Sequence, residues 1–321
     1  MNVAITGATS HIAKGLIERF LNRGEDRLYL FTRSEDKIGC FLDAIGRPGD
    51  GNCTVCTDYG AFSSFSYDAV INCVGVETRT KDKCDYTRYF AVTEEFDNLA
   101  VGYLKNVNPD ALYISFSSGA VYGKGFETPV GEDSVNTVRV NTVAPEDFYG
   151  IARINAEAKH RAHGNLRIVD LRVFSYFSRY ITLTDGYFIT DLLEAILNDT
   201  VLITDTTDIV RDYLHPEDLF SMIRLCMRAE KMNRAIDVTS SRPVSKQEIL
   251  DYFSAAYGLK YERRRFTESA SATGAKTNYY STCDRASRIG YVPRFSSLDT
   301  LKDEARYILS QTCRSERKPF A

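Results

Sequence analysis

The sequence contains little that would place the protein in a membrane or outside the cell. No stretch approaches the run of about 18 apolar residues that a membrane-spanning helix requires. The chain begins Met1-Asn2 and continues directly into an apolar segment, without the basic and long apolar regions of a signal peptide. We therefore expect a cytoplasmic protein with no membrane partner.

Residues that commonly bind metal are scarce and scattered. The four histidines are dispersed along the chain. Of the eight cysteines, only Cys53 and Cys56 have a suggestive spacing, and a lone pair is a weak metal signal. No metal site is therefore expected. The net charge of −3 gives no excess of positive charge, so nucleic acid is not expected as a partner either.

Short apolar runs alternate with helical patterns along the first half of the chain. With 321 residues, 44% of them hydrophobic, the chain can bury a sizeable core. Apolar strands separated by helices are typical of a parallel sheet covered on both faces. We predict an α/β fold with a Rossmann-like doubly wound sheet. The predicted strands are 3–5, 28–31, 69–71, 112–116 and 166–171, and the predicted helices are 12–23 and 149–162.

The last third of the chain changes character, and we predict a smaller C-terminal substrate-binding lobe there. Its predicted helices are 181–198, 219–228 and 246–257, and its predicted strands are 201–203 and 235–238. We assign residues 1–172 to the Rossmann domain. Residues 173–311 are assigned mostly to the lobe, with segments near 201–240 returning to the main sheet, and 312–321 to a polar, poorly ordered tail. A ligand cleft is expected between the two parts.

A glycine turn directly follows the first predicted strand. It reads Thr6-Gly7-Ala8-Thr9-Ser10-His11-Ile12, and such a turn places backbone N–H groups and a helix N-terminus against a pyrophosphate. Ser10 and Ala13 stand where two further glycines are usual, although small residues still allow close approach. We predict that Gly7, Thr9, Ser10, His11 and Ile12 bind a dinucleotide; an ordinary strand–turn–helix is the alternative.

The ends of the next strands supply further candidate cofactor-binding residues. The second strand ends in Thr32-Arg33-Ser34, without the acid that binds the ribose hydroxyls of NAD, whereas an Arg favours the 2′-phosphate of NADP. An ordinary surface Arg is the alternative. Two further groups lie where an open parallel sheet binds its ligand, namely Asp58 and Tyr59 after the third strand, and Cys73, Val74 and Gly75 after the fourth.

Several segments together carry a family resemblance. They include 114–123, Tyr149-Gly150-Ile151-Ala152-Arg153 with Glu157, 171–174, 210–218, 236–238 and 289–293. In order and spacing the chain resembles the extended short-chain dehydrogenase/reductases of the NAD-dependent epimerase/dehydratase family, which modify nucleotide-activated sugars. The resemblance implies that Tyr149 is the general acid/base, that Ser118 hydrogen-bonds the same sugar oxygen, and that Phe174 lies at the cofactor.

Arg153 is the main departure from the family pattern. The family has a Lys at this position, on the same helix face as the Tyr and bound to the nicotinamide ribose. Arg retains the charge but differs in shape. Arg153 is either a working substitute, or its role passes to another cation, or catalysis is lost. The family's dehydratases also carry an Asp-Glu pair directly after the Ser or Thr, whereas this chain has Gly119 and Ala120, so we do not expect a dehydratase.

The substrate residues also follow from the resemblance. Arg211 matches the family's Arg that contacts the nucleotide diphosphate; a surface ion pair with Asp208 or Asp212 is the alternative. Ser175 replaces a usual Asn, and Tyr122 is a candidate for the pocket lining. We predict NADP-linked reduction of a nucleotide-bound 4-keto sugar. The alternatives are an epimerase with bound NAD and a non-catalytic nucleotide-binding protein. A homodimer is expected by resemblance only.

Overall fold

The computed structural model describes residues 1–76, 85–265 and 276–315, with side chains up to residue 310. Its centre is a seven-stranded sheet in the order β11-β6-β5-β4-β1-β2-β3, and every neighbouring pair is parallel. The predicted doubly wound, Rossmann-like sheet is therefore confirmed. Its strands are β1 (Asn2–Thr6), β2 (Arg27–Phe31), β3 (Cys53–Cys56), β4 (Ala69–Asn72), β5 (Leu112–Ser118), β6 (Arg167–Val173) and β11 (Asn233–Val238).

Apolar side chains cover both faces of this sheet. Val3 and Ile5 of β1 belong to the apolar cluster that includes side chains of α1 and α6, whereas Ala4 belongs to the cluster that includes side chains of α3. Alternate residues of a strand point to opposite faces, so a strand buried on both sides must be apolar throughout. The helices of this part are α1 (His11–Arg23), α2 (Glu35–Ala44), α3 (Thr87–Asn106), α4 (Pro145–Ala162) and α6 (Pro216–Arg228).

The ends of α1 and α4 follow from local chemistry. Ser10 caps α1 by accepting a hydrogen bond from the Ala13 amide, and the helix ends at Gly24, which has a left-handed φ of 68°. α4 starts at Pro145, which is favourable at a first helical position, and so begins four residues before the predicted start at Tyr149. Tyr149 is consequently held within a regular helix rather than at its frayed end.

A second apolar cluster forms the core of the smaller lobe. Its elements are α5 (Phe188–Leu197), α7 (Lys246–Tyr257), α8 (Ser297–Ser315), and the short strands β7 (Ser175–Tyr176), β8 (Val201–Asp205), β9 (Val210–Arg211), β10 (Tyr213–Leu214), β12 (Val244–Ser245), β13 (Lys260–Arg264) and β14 (Asn278–Tyr279). None of the helices in the described ranges is long and apolar enough to cross a membrane.

Three predictions for the lobe need correction. Of the segment 201–240, β11 joins the main sheet, but β8 pairs with β13 in a separate two-stranded sheet. The predicted helix 181–198 starts only at Phe188, because a 3₁₀ turn and the left-handed Gly186 precede it. The predicted tail begins too early, since α8 continues to Ser315. Residues 316–321 lie outside the described residues.

Candidate active site

A cleft of about 440 Å³ lies at the carboxyl edge of the main sheet, between the sheet and the smaller lobe. It brings together predicted residues from distant parts of the sequence. These are His11, Ile12, Cys73, Val74, Gly75, Ser118, Tyr149, Arg153, Phe174, Ser175 and Arg211. A cleft at the carboxyl ends of parallel strands is where open α/β sheets bind their ligands.

The glycine turn brings two backbone segments into close contact. Gly7 has a left-handed φ of 66°, and a Cβ at this position would lie 3.0 Å from the carbonyl carbon and oxygen of Cys73. Among the described residues, no hydrogen-bond acceptor is found for the amides of His11 and Ile12 at the start of α1. Free amides at a helix N-terminus suit a phosphate group, so the loop, which also contains Thr9 and Ser10, fits the pyrophosphate of a dinucleotide.

The candidate residues for the adenosine end lie outside the lining of this cleft, and most are engaged locally. Ser34 caps α2, with Thr32 hydrogen-bonded to it. Asp58 accepts from the Gly60 amide at 2.7 Å. The Tyr59 hydroxyl donates to the Phe31 carbonyl at 3.1 Å and accepts from the Gly7 amide at 3.3 Å. Arg33 is exposed and has no ion pair within the described part of the chain, so its guanidinium remains available.

Arg153 is placed against Tyr149, one turn earlier on α4. Its guanidinium carbon lies 5.2 Å from the centre of the Tyr149 ring, and its Nε is buried without a hydrogen-bond partner among the described residues. Burial disfavours the charge, but attraction to Tyr149 and a hydrogen bond with it leave the pKa of Arg153 raised. The phenol therefore has a fixed positive charge beside it, as a Lys would supply.

Ser118 lies at the end of β5, in contact with a residue that the sequence analysis missed. Its hydroxyl accepts from the Ala120 amide at 3.2 Å and lies 2.9 Å from the hydroxyl of Tyr279. Tyr279 is on the two-residue strand β14, which pairs with β9 so that Tyr279 is opposite Arg211. No motif marks β14, so only the folded chain reveals Tyr279 as part of the site.

Arg211 does not form either of the surface ion pairs considered above. Its guanidinium donates to the carbonyl of Val210 at 2.9 Å and that of Thr277 at 3.4 Å. Asp212 is buried, accepts from the Ser240 amide, and has a pKa raised by burial to about 6. Asp208 accepts from the Ile209 amide. Within the described residues, Arg211 therefore carries a charge without an acidic partner.

Tyr122 lies elsewhere than predicted. Its hydroxyl donates to the carboxylate of Asp237 and accepts from the Arg172 guanidinium at 2.8 Å. Arg172 also binds Glu157, whose carboxylate accepts a 2.6 Å hydrogen bond from Ser117. Tyr122 lines a second, separate cavity rather than the cleft, because its partners Asp237 and Arg172 also line that cavity and orient its hydroxyl towards it.

Three residues outside the cleft are close enough to resemble a metal site. They are His215, Asp303 and Glu304. The His215 Nδ1 accepts a hydrogen bond from the Glu217 amide, so its Nε2 carries the hydrogen and faces Asp303 at 3.3 Å. Glu304 pairs with Arg179 at 2.7 Å. These groups are engaged in hydrogen bonds and do not form a free ligand set.

The parallel sheet, and the glycine turn at its carboxyl edge beside a cleft that Tyr149 and Ser118 line, define a protein with a Rossmann-like fold. Residues 3–238 match the model of the NAD dependent epimerase/dehydratase family. The chain therefore belongs to this family, which confirms the resemblance. No curated protein sequence matches the chain.

Solved structures with the same fold span nearly the whole chain. UDP-glucuronic acid 4-epimerase from Bacillus cereus, in complex with UDP-glucuronic acid and NAD, is 16% identical, with a TM-score of 0.78 over 97% of this chain and 100% of that one. UDP-glucose 4-epimerase from Stenotrophomonas maltophila is 17% identical, with a TM-score of 0.80 over 98% and 99%. dTDP-glucose 4,6-dehydratase from Streptomyces venezuelae is 15% identical, with a TM-score of 0.77 over 99% of each chain. At this identity the likeness concerns the fold.

Proposed function

We propose that this protein is an NAD(P)-dependent oxidoreductase acting on a nucleotide-activated sugar, and that it reduces a 4-keto sugar with NADPH. The observation that carries the proposal is the convergence of Tyr149, Ser118 and Arg153 in one cleft, which Arg211, without an acidic partner among the described residues, also lines. A proton donor and an isolated cation in one cleft suit a substrate with a reducible carbonyl and a diphosphate.

Each side chain has a defined part in this reaction. A nicotinamide cofactor, held by the glycine turn and Arg153, would supply the hydride. Tyr149 donates its phenolic proton to the sugar carbonyl oxygen, and Ser118 hydrogen-bonds the same oxygen. Arg153 stabilises the phenolate that remains. Arg211 binds the diphosphate and so orients the sugar towards Tyr149.

The choice of NADPH rests on the end of β2. The three residues that follow this strand, Thr32, Arg33 and Ser34, include no carboxylate; Thr32 is buried and Arg33 is exposed without an ion pair among the described residues. Titration of cofactor-stripped protein, followed by the fluorescence of the reduced nicotinamide, should show tighter binding of NADPH than of NADH, because Arg33 meets the 2′-phosphate. Arg33→Ala should remove this preference and leave NADH binding unchanged. An equal loss of both cofactors in the variant would contradict this role.

A turnover assay tests the reaction itself. NADPH consumption is measured with a panel of nucleotide-linked 4-keto sugars, and we expect oxidation of NADPH with at least one member. A nucleotide-sugar 4-epimerase with bound NAD is the second candidate, because two of the similar structures described above are 4-epimerases. Copurified NAD, with interconversion of two nucleotide sugars and no net NADPH consumption, would replace the first proposal with the second.

A non-catalytic nucleotide-binding protein is the remaining alternative. It predicts cofactor or nucleotide-sugar binding without turnover on any member of the panel, and no effect of Tyr149→Phe. We retain a cytoplasmic homodimer as part of the proposal, and size-exclusion chromatography with light scattering checks the dimer.

A further inference from the structure

The hydroxyl of Tyr279 is a contact of the active site that the proposed mechanism does not use. It lies 2.9 Å from the hydroxyl of Ser118, which also accepts a hydrogen bond from the Ala120 amide at 3.2 Å. A serine hydroxyl has one hydrogen and two lone pairs. The direction of the Ser118–Tyr279 hydrogen bond therefore decides whether the hydrogen of Ser118 is left for the substrate.

Two observations indicate that Tyr279 is the donor in this hydrogen bond. Burial raises the pKa of Tyr279, so the phenol keeps its hydrogen at neutral pH, and within the described ranges the Ser118 oxygen is the only acceptor found for that hydrogen. Ser118 lines the cleft, whereas Tyr279 does not. If Ser118 donated to Tyr279, the phenol hydrogen would be left without an acceptor, which is unfavourable away from water. With Tyr279 as the donor, the hydrogen of Ser118 remains available to water or a ligand in the cleft.

Aromatic packing and strand pairing hold Tyr279 in place. The centre of its ring lies 4.8 Å from that of Phe126 and 5.1 Å from that of Phe174, and the Lys276 ammonium lies 4.4 Å from it. The pairing of β14 with β9 also fixes the backbone of Tyr279. A ring that is packed on several sides has little freedom to turn, so its hydroxyl stays at the Ser118 oxygen.

We propose that Tyr279 is a positioning residue, which donates a hydrogen bond to Ser118 and thereby directs the hydrogen of Ser118 to the sugar carbonyl oxygen; this inference rests on the proposed function. The two lone pairs of Ser118 are then occupied by Tyr279 and the Ala120 amide, so Ser118 acts towards the substrate only as a donor. In the reduction, the carbonyl carbon receives the hydride and the carbonyl oxygen receives the Tyr149 proton, whereas Ser118 and Tyr279 keep their hydrogens. A fixed donor stabilises the negative charge that develops on that oxygen in the transition state.

A double-mutant cycle tests this role. Single-turnover oxidation of NADPH is measured with the nucleotide-linked keto sugar that the panel identifies, for the wild type, Tyr279→Phe, Ser118→Ala and the double variant. Tyr279→Phe keeps the ring but removes the donor, so the rate should fall by about 3- to 10-fold, the effect expected for one hydrogen bond. The half-saturating sugar concentration and the Kd of NADPH should stay close to those of the wild type. In the Ser118→Ala background the same change should cause no further loss, because Tyr279 acts through Ser118.

Tyr280→Phe is the matched control. Tyr280 is the next residue of the chain, and no hydrogen bond of its hydroxyl is found among the described residues. Removing this hydroxyl should therefore leave the single-turnover rate unchanged. The two variants lose the same atom from neighbouring tyrosines, so they differ only in the contact with Ser118.

The outcomes separate this inference from the proposed function. A wild type that oxidises no NADPH with any member of the panel refutes the proposed reduction, and this role of Tyr279 with it. If the wild type turns over but Tyr279→Phe keeps its rate, or lowers the rate equally with and without the Ser118 hydroxyl, the reduction stands and the role of Tyr279 is wrong. A loss in Tyr280→Phe as large as that in Tyr279→Phe would attribute both losses to the packing of this segment and would also overturn the role.

Discussion

Two groups of buried charges in this protein differ in whether the chain itself supplies their counter-charges. Where α4 packs against α3 and β6, His160 of α4 lies between Asp97 and Asp170, and Lys159 and Arg161 form further ion pairs with these two carboxylates. In the cleft, Arg153 and Arg211 lack an acidic partner within the described part of the chain, and so does the buried Lys276, whose ammonium packs on the Tyr279 ring. Charges paired within the chain hold the fold together, whereas charges left unpaired are available to a ligand that brings the opposite charge.

One helix belongs to both groups. α4 carries Tyr149 and Arg153 at the cleft and Lys159, His160 and Arg161 in the paired cluster. The paired cluster anchors the C-terminal end of the helix to Asp97 of α3 and Asp170 of β6, whereas Tyr149 and Arg153 lie nearer its N-terminal end. Changes in the two groups should therefore differ in kind, with loss of stability in one and loss of chemistry in the other.

The largest effect is expected for Tyr149→Phe. It removes the proton donor but keeps the ring, so turnover should fall by about 100- to 10,000-fold. Steady-state kinetics with the substrate found in the panel measures this, and the titration with NADPH should be unchanged. The unfolding midpoint should also stay close to that of the wild type. Full activity in this variant would refute Tyr149 as the general acid.

Asp170→Ala should break the paired cluster and leave activity per folded molecule intact. It leaves His160 and Arg161 without their shared carboxylate, and removing one partner of a buried ion pair lowers the free energy of unfolding by about 3–5 kcal/mol. Urea unfolding measures this. Asp43→Ala, at an exposed position of α2, is the control and should change stability by less than about 0.5 kcal/mol. Similar values for both variants would mean that the cluster contributes little.

The free energy of unfolding should change with pH in opposite directions for the two groups. Burial opposes the charge of His160, but its hydrogen bonds to Asp170 and Asp97 raise its pKa from 6.5 to about 9. Its contribution, on the order of 3 kcal/mol, is fully present below pH 6.5 and is lost as the pH rises through 9. Lys276 acts oppositely, because its lowered pKa makes folding more favourable as the pH rises above 8.

Unfolding of the wild type, His160→Gln and Lys276→Met between pH 6 and 10 checks these signs. The stability of the wild type should fall towards pH 10. This fall should be much smaller in His160→Gln and steeper in Lys276→Met. Parallel curves for all three proteins would mean that neither group titrates in this range.

A smaller effect is expected from two glycines in neighbouring helices. A Cβ on Gly150 of α4 would lie 2.5 Å from the carbonyl oxygen of Ala120, whereas one on Gly102 of α3 would meet nothing within 4 Å. Gly150→Ala should destabilise the protein by about 1–3 kcal/mol and lower turnover, because it moves Tyr149 away from Ser118. Gly102→Ala should stabilise it by about 0.5–1 kcal/mol. Equal changes in the free energy of unfolding for the two variants would show that α4 can move to accommodate the added methyl group.

Local patterns account for most of what could be predicted from the sequence. The strands of the Rossmann sheet are apolar on both faces, and the residues of the glycine turn are adjacent in the sequence. Short stretches of the sequence therefore suffice to predict both. Ser118, Tyr149, Arg153 and Arg211 came from motifs. Tyr279 could not be found in this way, since it reaches Ser118 through the two-residue strand β14, which depends on pairing with β9. The partner of β8 was missed for the same reason.

The position after Ser118 has an evolutionary consequence. A Cβ on Gly119 would lie 2.4 Å from Cε1 of Phe174, whose ring is packed beside it. The acidic residue that dehydratases of the family have at this place therefore cannot appear by one substitution without a steric clash. A smaller side chain at position 174 would have to come first or together with it. The present sequence is thus separated from that activity by at least three changes, at positions 119, 120 and 174, and laboratory evolution with single-site libraries should not cross the gap.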